Sequence, residues 1–131
     1  MRFADTSFWV GLLLPRDRRH HDASVLWTRD NEPVRTSSLV LGETWTLLRY
    51  RADHRTAVHF LNTIDQSTRV SQAPVDTHVD ERAWEWLRRH DERAYSYVDA
   101  VSFEIMRRER IAEALAFDGD FSAAGFIEAR P

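Results

Sequence analysis

The chain contains no cysteine and no lysine, and only 4 glycines and 4 prolines among its 131 residues. Without cysteine there is no disulfide framework, no thiolate zinc site and no cysteine nucleophile, and a reducing, cytoplasmic compartment is the simplest expectation. So little glycine and proline excludes a collagenous, linker-rich or low-complexity chain. Long hydrophobic runs are missing too. The longest, Phe8 to Leu14, ends at Pro15, and Asp5 stands where a signal peptide would need positive charge, so no membrane association is expected. Nor does one sign of charge dominate: 18 bases face 21 acids, and the net charge of −3 announces no global field for nucleic acid. All the basic residues are Arg, a planar donor suited to bidentate phosphate contacts, although genomic base composition produces the same bias.

What is present fits one domain over residues 1–131, since 43% hydrophobic and 30% charged residues are enough for a single core. Arg2 to Ala4 reads as a short strand, followed by a helix opened by Asp5-Thr6-Ser7. Arg16 to His21 reads as a charged connection, and a helix is expected from about Asp22 to Asn31 with Val25 and Leu26 inward. A second strand is expected at Pro33 to Thr36, then a helix to about Ala52, then another from Asp53 whose Ala57, Phe60, Leu61 and Ile64 form an apolar stripe. Arg69 to Val75 is a third strand candidate. Asp76 caps a helix with Val79, Ala83, Trp84 and Leu87 on one side, and Ser96 opens one with Val98, Val101, Ile105 and Met106 buried. Ala114 to Phe117 is an apolar strand stopped by Asp118-Gly119-Asp120, and Phe126 to Glu128 is a last strand candidate. Short strands alternating with helices predict an α/β fold built on a parallel sheet. Trp84 and Trp86 cannot both face inward on one helix, so one is expected to be exposed or covered by a partner.

Four acids stand out from the solvated majority. Asp5 follows the first strand, where an open parallel sheet presents its ligand crevice, although it also suits an N-cap. Glu43 interrupts the apolar face of its helix, where an ionised carboxylate needs a cation or donor; an Arg salt bridge or a functional role would each supply one. Asp99 has the capping-box spacing from Ser96 yet shares a side with Ser102 and Met106. Asp118 sits directly after the strand ending at Phe117, with a turn at Gly119 as its ordinary explanation and Asp120 as a competitor. Taken together, all four can converge on one crevice. Charges about 4 Å apart repel by about 4 kcal/mol at an effective dielectric near 20, so such a cluster must take up protons or a cation. An all-oxygen donor set without Cys or suitably spaced His favours Mg²⁺ or Mn²⁺ over Zn²⁺, and such ions serve phosphoryl chemistry.

In that order these segments resemble the PIN domain family. Asp5-Thr6-Ser7 resembles its first acidic motif, Ser38 to Glu43 its second, Asp99-Ala100-Val101-Ser102 its third and Leu115 to Phe121 its fourth, so that the likeness covers nearly the whole chain. The resemblance implies a three-layer α/β/α sandwich and a Mg²⁺- or Mn²⁺-dependent endoribonuclease, most often the VapC toxin of a toxin-antitoxin pair, restrained by a VapB antitoxin and forming a homodimer. It implies Asp5 and Asp99 as principal metal ligands, and Asp118 and Glu43 completing the acidic pocket. Thr6 and Ser102 would orient carboxylates or water, and cleavage would leave a 5′-phosphate and a 3′-hydroxyl. The Asp118-Gly119-Asp120 sequence leaves two acids competing for the fourth place.

Arg16, Arg18 and Arg19, with His20 and His21, in the charged connection are candidate RNA contacts, with a plain solvated loop as the alternative. Arg107, Arg108 and Arg110 are explained by the carboxyl end of a helix. Other readings of the chain are a housekeeping PIN nuclease that processes RNA without an antitoxin, and a catalytically silent module that binds RNA or protein. A haloacid-dehalogenase phosphatase would need an Asp at the position of Ser7.

Overall fold

The computed structural model describes residues 1–131. Five short strands, β1 (Arg2–Ala4), β2 (Val34–Ser37), β3 (Val70–Ala73), β4 (Glu113–Leu115) and β5 (Ile127–Glu128), pair in parallel in the order β3-β2-β1-β4-β5. Between and after them lie α1 (Thr6–Leu13), α2 (His20–Thr28), α3 (Ser38–Arg51), α4 (His54–Gln66), α5 (Thr77–Arg89), α6 (Tyr97–Glu109) and α7 (Asp120–Ala123). From β1 the chain moves outward to β3, then crosses back to β4 and β5. Right-handed crossovers therefore put α1 to α4 on one face and α5 to α7 on the other, the expected three layers. Packing follows the same division: α1 touches α2 and α3, α3 touches α4, and α6 touches both α5 and α7.

Each face has its own aromatic core. Trp9 packs on Phe8, Trp27 and Phe60 on the first face, and Phe103 packs on Trp86, Tyr95, Phe121 and Phe126 on the second. Burial of each Phe contributes about 1.5–3 kcal/mol, which compensates for strands too short to bring much of their own side-chain area.

Helix starts are written locally. Asp5, Ser37, Asp53, Asp76 and Ser96 each accept a backbone amide of the first turn that follows, an interaction worth about 1 kcal/mol apiece. Some boundaries differ from the sequence reading. Helix α2 begins at His20 rather than Asp22, because Asp17 accepts the Arg19 amide on its side chain and the His20 amide on its carbonyl; the charged connection shortens accordingly. Val25 is only half-buried, whereas Leu26 is fully buried. Strand β4 stops at Leu115 instead of Phe117, and the segment read as a stop turns into the short helix α7. Trp84 leaves the buried side assigned to it: it is 46% exposed and lies on Tyr97, while Trp86 is half-buried.

The topology fixes where a site can be. Sequence order reverses between β1 and β4, and the crevice beyond their carboxyl ends is where open α/β sheets bind ligands.

Candidate active site

Two strand ends and two helix starts meet at that crevice, an open cleft of about 740 Å³ lined by Asp5, Glu43, Asp99 and Asp118. Asp5 leaves β1 with its amide bonded to the Leu115 carbonyl of β4 at 3.0 Å. Its carboxylate is 3% exposed and accepts the Ser7 amide at 3.2 Å and the Ser7 hydroxyl at 3.0 Å. Burial, with Asp118 and Asp99 nearby, pushes this carboxyl up to about 7. The same Ser7 Oγ accepts the Phe117 amide at 3.1 Å, tying the start of α1 to the end of β4. Asp5 is thus both the N-cap of α1 and a wall of the cleft.

Asp99 is likewise two things at once. It completes a capping box, its carboxylate accepting the Ser96 amide at 2.9 Å while Ser96 Oγ accepts the Asp99 amide at 3.0 Å. It also lines the cleft, 8% exposed, and burial foremost, with Asp120 and Asp118 adding to it, raises its carboxyl to about 6. Asp118 accepts the Asp120 amide at 3.1 Å, as a turn residue does. Partial burial, then Asp120 and Glu128, raise its carboxyl as well.

Asp99, Asp118 and Asp120 can each bring a carboxylate oxygen within 4.8 Å of the others. Asp120, however, is held by Arg93, whose Nε donates to it at 2.8 Å, and it does not line the cleft. Asp5, Asp99 and Asp118 have no cationic side chain of their own. Glu43 meets the expectation of a place in the cleft but not that of an Arg partner: it is half-buried and forms no salt bridge. It avoids the cost of burial by remaining partly in water. Of the supporting hydroxyls, Thr6 Oγ1 is buried in the cleft wall without a partner. Ser102 departs from the expected role, since its hydroxyl donates to the Val98 carbonyl at 2.8 Å within α6 and it does not line the cleft.

Arg16, Arg18 and Arg19 line the same cleft. Their loop is built rather than loose. Asp17 accepts the Arg19 amide at 2.9 Å and Arg51 of α3 at 3.0 Å, and the Arg19 guanidinium lies 5.4 Å from the Phe117 ring. Ser7, Asp17, Arg51 and Arg93 do not stand out in the sequence as site residues. Ser7 is recoverable from its place two residues after Asp5, and Asp17 from its place two before Arg19, where an Asx-type contact is common; Arg51 and Arg93 are brought in by long-range folding and leave no local mark.

The donor set is all oxygen, the buried carboxylates of Asp5 and Asp99 with the exposed carboxylate of Asp118 and an orphaned hydroxyl, which fits a hard divalent cation. A parallel five-stranded α/β fold with acids at the reversal point defines the class: the PIN domain profile matches residues 2–127, and the chain belongs to that family, whose members are nucleases and generally depend on divalent metal. Within it, the 23S rRNA-specific endonuclease VapC20 of two Mycobacterium tuberculosis strains is 55% identical over 131 residues, covering 100% of this chain and 99% of the relative. The crystal structure of Mycobacterium tuberculosis VapC20, described as a sarcin-ricin loop cleaving toxin, superposes with a TM-score of 0.94 at 53% identity and covers 100% of both chains.

Proposed function

We propose that this chain is the endoribonuclease toxin of a VapC-type pair and that it hydrolyses a phosphodiester bond in the sarcin-ricin loop of 23S rRNA. The observation that carries the reading is a cleft lined by Asp5, Asp99 and Asp118, near enough for the charges of the other two to raise the Asp5 carboxyl, with none of the three in a salt bridge. Likeness over the full length to a 23S rRNA-specific endonuclease supports the substrate.

Asp5, Asp99 and Asp118 would hold Mg²⁺ or Mn²⁺, with Asp120 retained by Arg93 outside the first set. Bound there, the ion would offset the carboxylates' mutual repulsion, polarise the scissile phosphate and acidify a water. The chain's own groups do the rest. Ser7 aims the Asp5 carboxylate, and the free Thr6 hydroxyl orients a carboxylate or water. Glu43, unpaired in the cleft lining, accepts the proton of the attacking water. The water oxygen bonds to phosphorus as the bond to the 3′ oxygen breaks, and that oxygen takes a proton from solvent water, leaving a 5′-phosphate and a 3′-hydroxyl. Arg16, Arg18 and Arg19 take the flanking phosphates, which answers the net charge of −3 with local positive charge. The domain comprises residues 1–131, acts in the cytoplasm as a homodimer, and is restrained by a VapB-like antitoxin. No helix is long and apolar enough to cross a membrane.

The test is incubation of the purified chain with a sarcin-ricin stem-loop RNA and with an unrelated structured RNA, in Mn²⁺ or Mg²⁺ and in EDTA. Cleavage of the stem-loop alone, abolished by EDTA and by Asp5→Asn, with a 5′-phosphate on the downstream product, is expected. Undiminished cleavage by a folded Asp5→Asn protein would sink the mechanism. Cutting of the unrelated RNA instead would leave the nuclease and remove the substrate.

A further inference from the structure

Behind the acidic turn lies a carboxylate that the reaction does not use. Glu128, the last residue of β5, has a side chain only 1% exposed. Its two oxygens accept the Gly119 amide at 3.3 Å and the Ser122 amide at 2.9 Å, and Arg130 donates to it at 3.3 Å. Burial pushes its carboxyl up, but the donors at Ser122, Arg130 and Gly119 together outweigh burial and hold it below the ordinary value. Arg130 in turn donates to the Ala116 carbonyl at 3.2 Å, just past the end of β4.

These contacts bracket one turn. Gly119 adopts a left-handed φ of 83°, which only glycine takes without strain, and Asp118 precedes it directly. Helix α7 that follows has four residues, too few to hold itself by its own hydrogen bonds. The turn is therefore shaped from outside: Glu128 grips its two amides, and Arg93 binds Asp120 at 2.8 Å and the Asp118 carbonyl at 3.2 Å.

We propose that Glu128, steadied by Arg130, is a positioning residue for the acidic site: by holding the Gly119 and Ser122 amides it presents Asp118 to the cleft while Asp120 is turned toward Arg93. This rests on the reading of the cleft as a divalent-cation site. A buried carboxylate behind a ligand-bearing turn is an outer-layer partner, and loss of such partners weakens metal binding although they never touch the ion.

The experiment uses the full chain with Glu128→Gln, which keeps the shape but turns one acceptor into an amide donor facing an N–H. Expected are Mn²⁺ affinity by calorimetry weakened about tenfold, faster hydrogen exchange at Gly119 and Ser122 with unchanged exchange in α6, and a fall in kcat on RNA with little change in KM. Asp118→Asn is the reference. If it weakens Mn²⁺ binding while a folded Glu128→Gln binds as wild type, Glu128 does not position the site and the proposal fails alone. If Asp118→Asn itself binds Mn²⁺ normally, the reading of the cleft fails and takes the proposal with it. Should Glu128→Gln not fold, Arg130→Met at a half-exposed side chain decides: weaker Mn²⁺ binding supports the proposal, and wild-type binding overturns it.

Discussion

Single side chains in this molecule hold two jobs, and Asp5 is the clearest case. As N-cap it accepts a helix amide, and as a cleft wall it carries a carboxyl pushed up to about 7 by burial first and by Asp118 and Asp99 second. An acid whose folded value lies above its unfolded one binds more protons when folded, so stability falls as pH rises between the two. For Asp5 that window runs from its ordinary 3.8 to about 7. Metal-free protein should lose Tm on the order of 10 °C across it in thermal scans. Saturating Mn²⁺ should remove most of the slope, and Asp5→Asn should reduce it without metal, leaving the part that the raised Asp99 and Asp118 carboxyls contribute; an equally steep slope in Asp5→Asn would refute the assignment. Ser7 is the second case, because one hydroxyl serves Asp5 and the Phe117 amide. Ser7→Ala orphans that amide, so an unfolding titration should read about 1–3 kcal/mol lost, and cleavage should fall about tenfold or more as Asp5 loses its hydroxyl donor and keeps only the Ser7 amide.

Among the elements, the α1–α2 loop carries the proposed RNA contacts. Arg16, Arg18 and Arg19 face the cleft because Asp17 bridges back to Arg51 and caps its own loop. If the three Arg each take one phosphate, replacing all of them by Ala should reduce the slope of log affinity against log salt by about 2, at about 0.7 per single-strand contact. Filter binding to an inactive Asp5→Asn background would measure it, and an unchanged slope would leave the loop as a plain solvated one. Helix α1 limits that loop from below. A Cβ on Gly11 would stand 3.3 Å from the Arg19 Cβ, so Gly11→Ala should shift the loop and raise KM for RNA while Mn²⁺ affinity stays as it was.

At the scale of the whole molecule, a cation that binds only the folded cleft must stabilise the entire chain. Mn²⁺ at about a hundredfold over its Kd adds about 2.7 kcal/mol, seen as a Tm rise that Asp99→Asn should largely remove. No Mn²⁺ shift at millimolar ion would favour a silent binding module over a nuclease. Exposed Tyr50, at 86%, and Leu47, at 39%, both on α3, are apolar surface that the monomer leaves uncovered. Burial of such surface in a homodimer or against an antitoxin helix would be seen as a larger particle by light scattering.

Much of this was legible in the linear chain, because the signals were local. Helix starts were written in Asp5, Asp53, Asp76 and Ser96, whose side chains reach only a turn ahead, and the alternation of strand and helix implied a parallel sheet through a rule of handedness rather than of detail. The four acids were visible as residues at odds with their surroundings. What folding alone decided was pairing across distance: that Glu43 stays free of any Arg, that Asp120 goes to Arg93, that Ser102 turns back on its own helix, and that Asp17 meets Arg51. Those outcomes depend on where guanidinium groups from remote segments arrive, and a charge in sequence carries no record of which opposite charge three-dimensional packing will bring beside it.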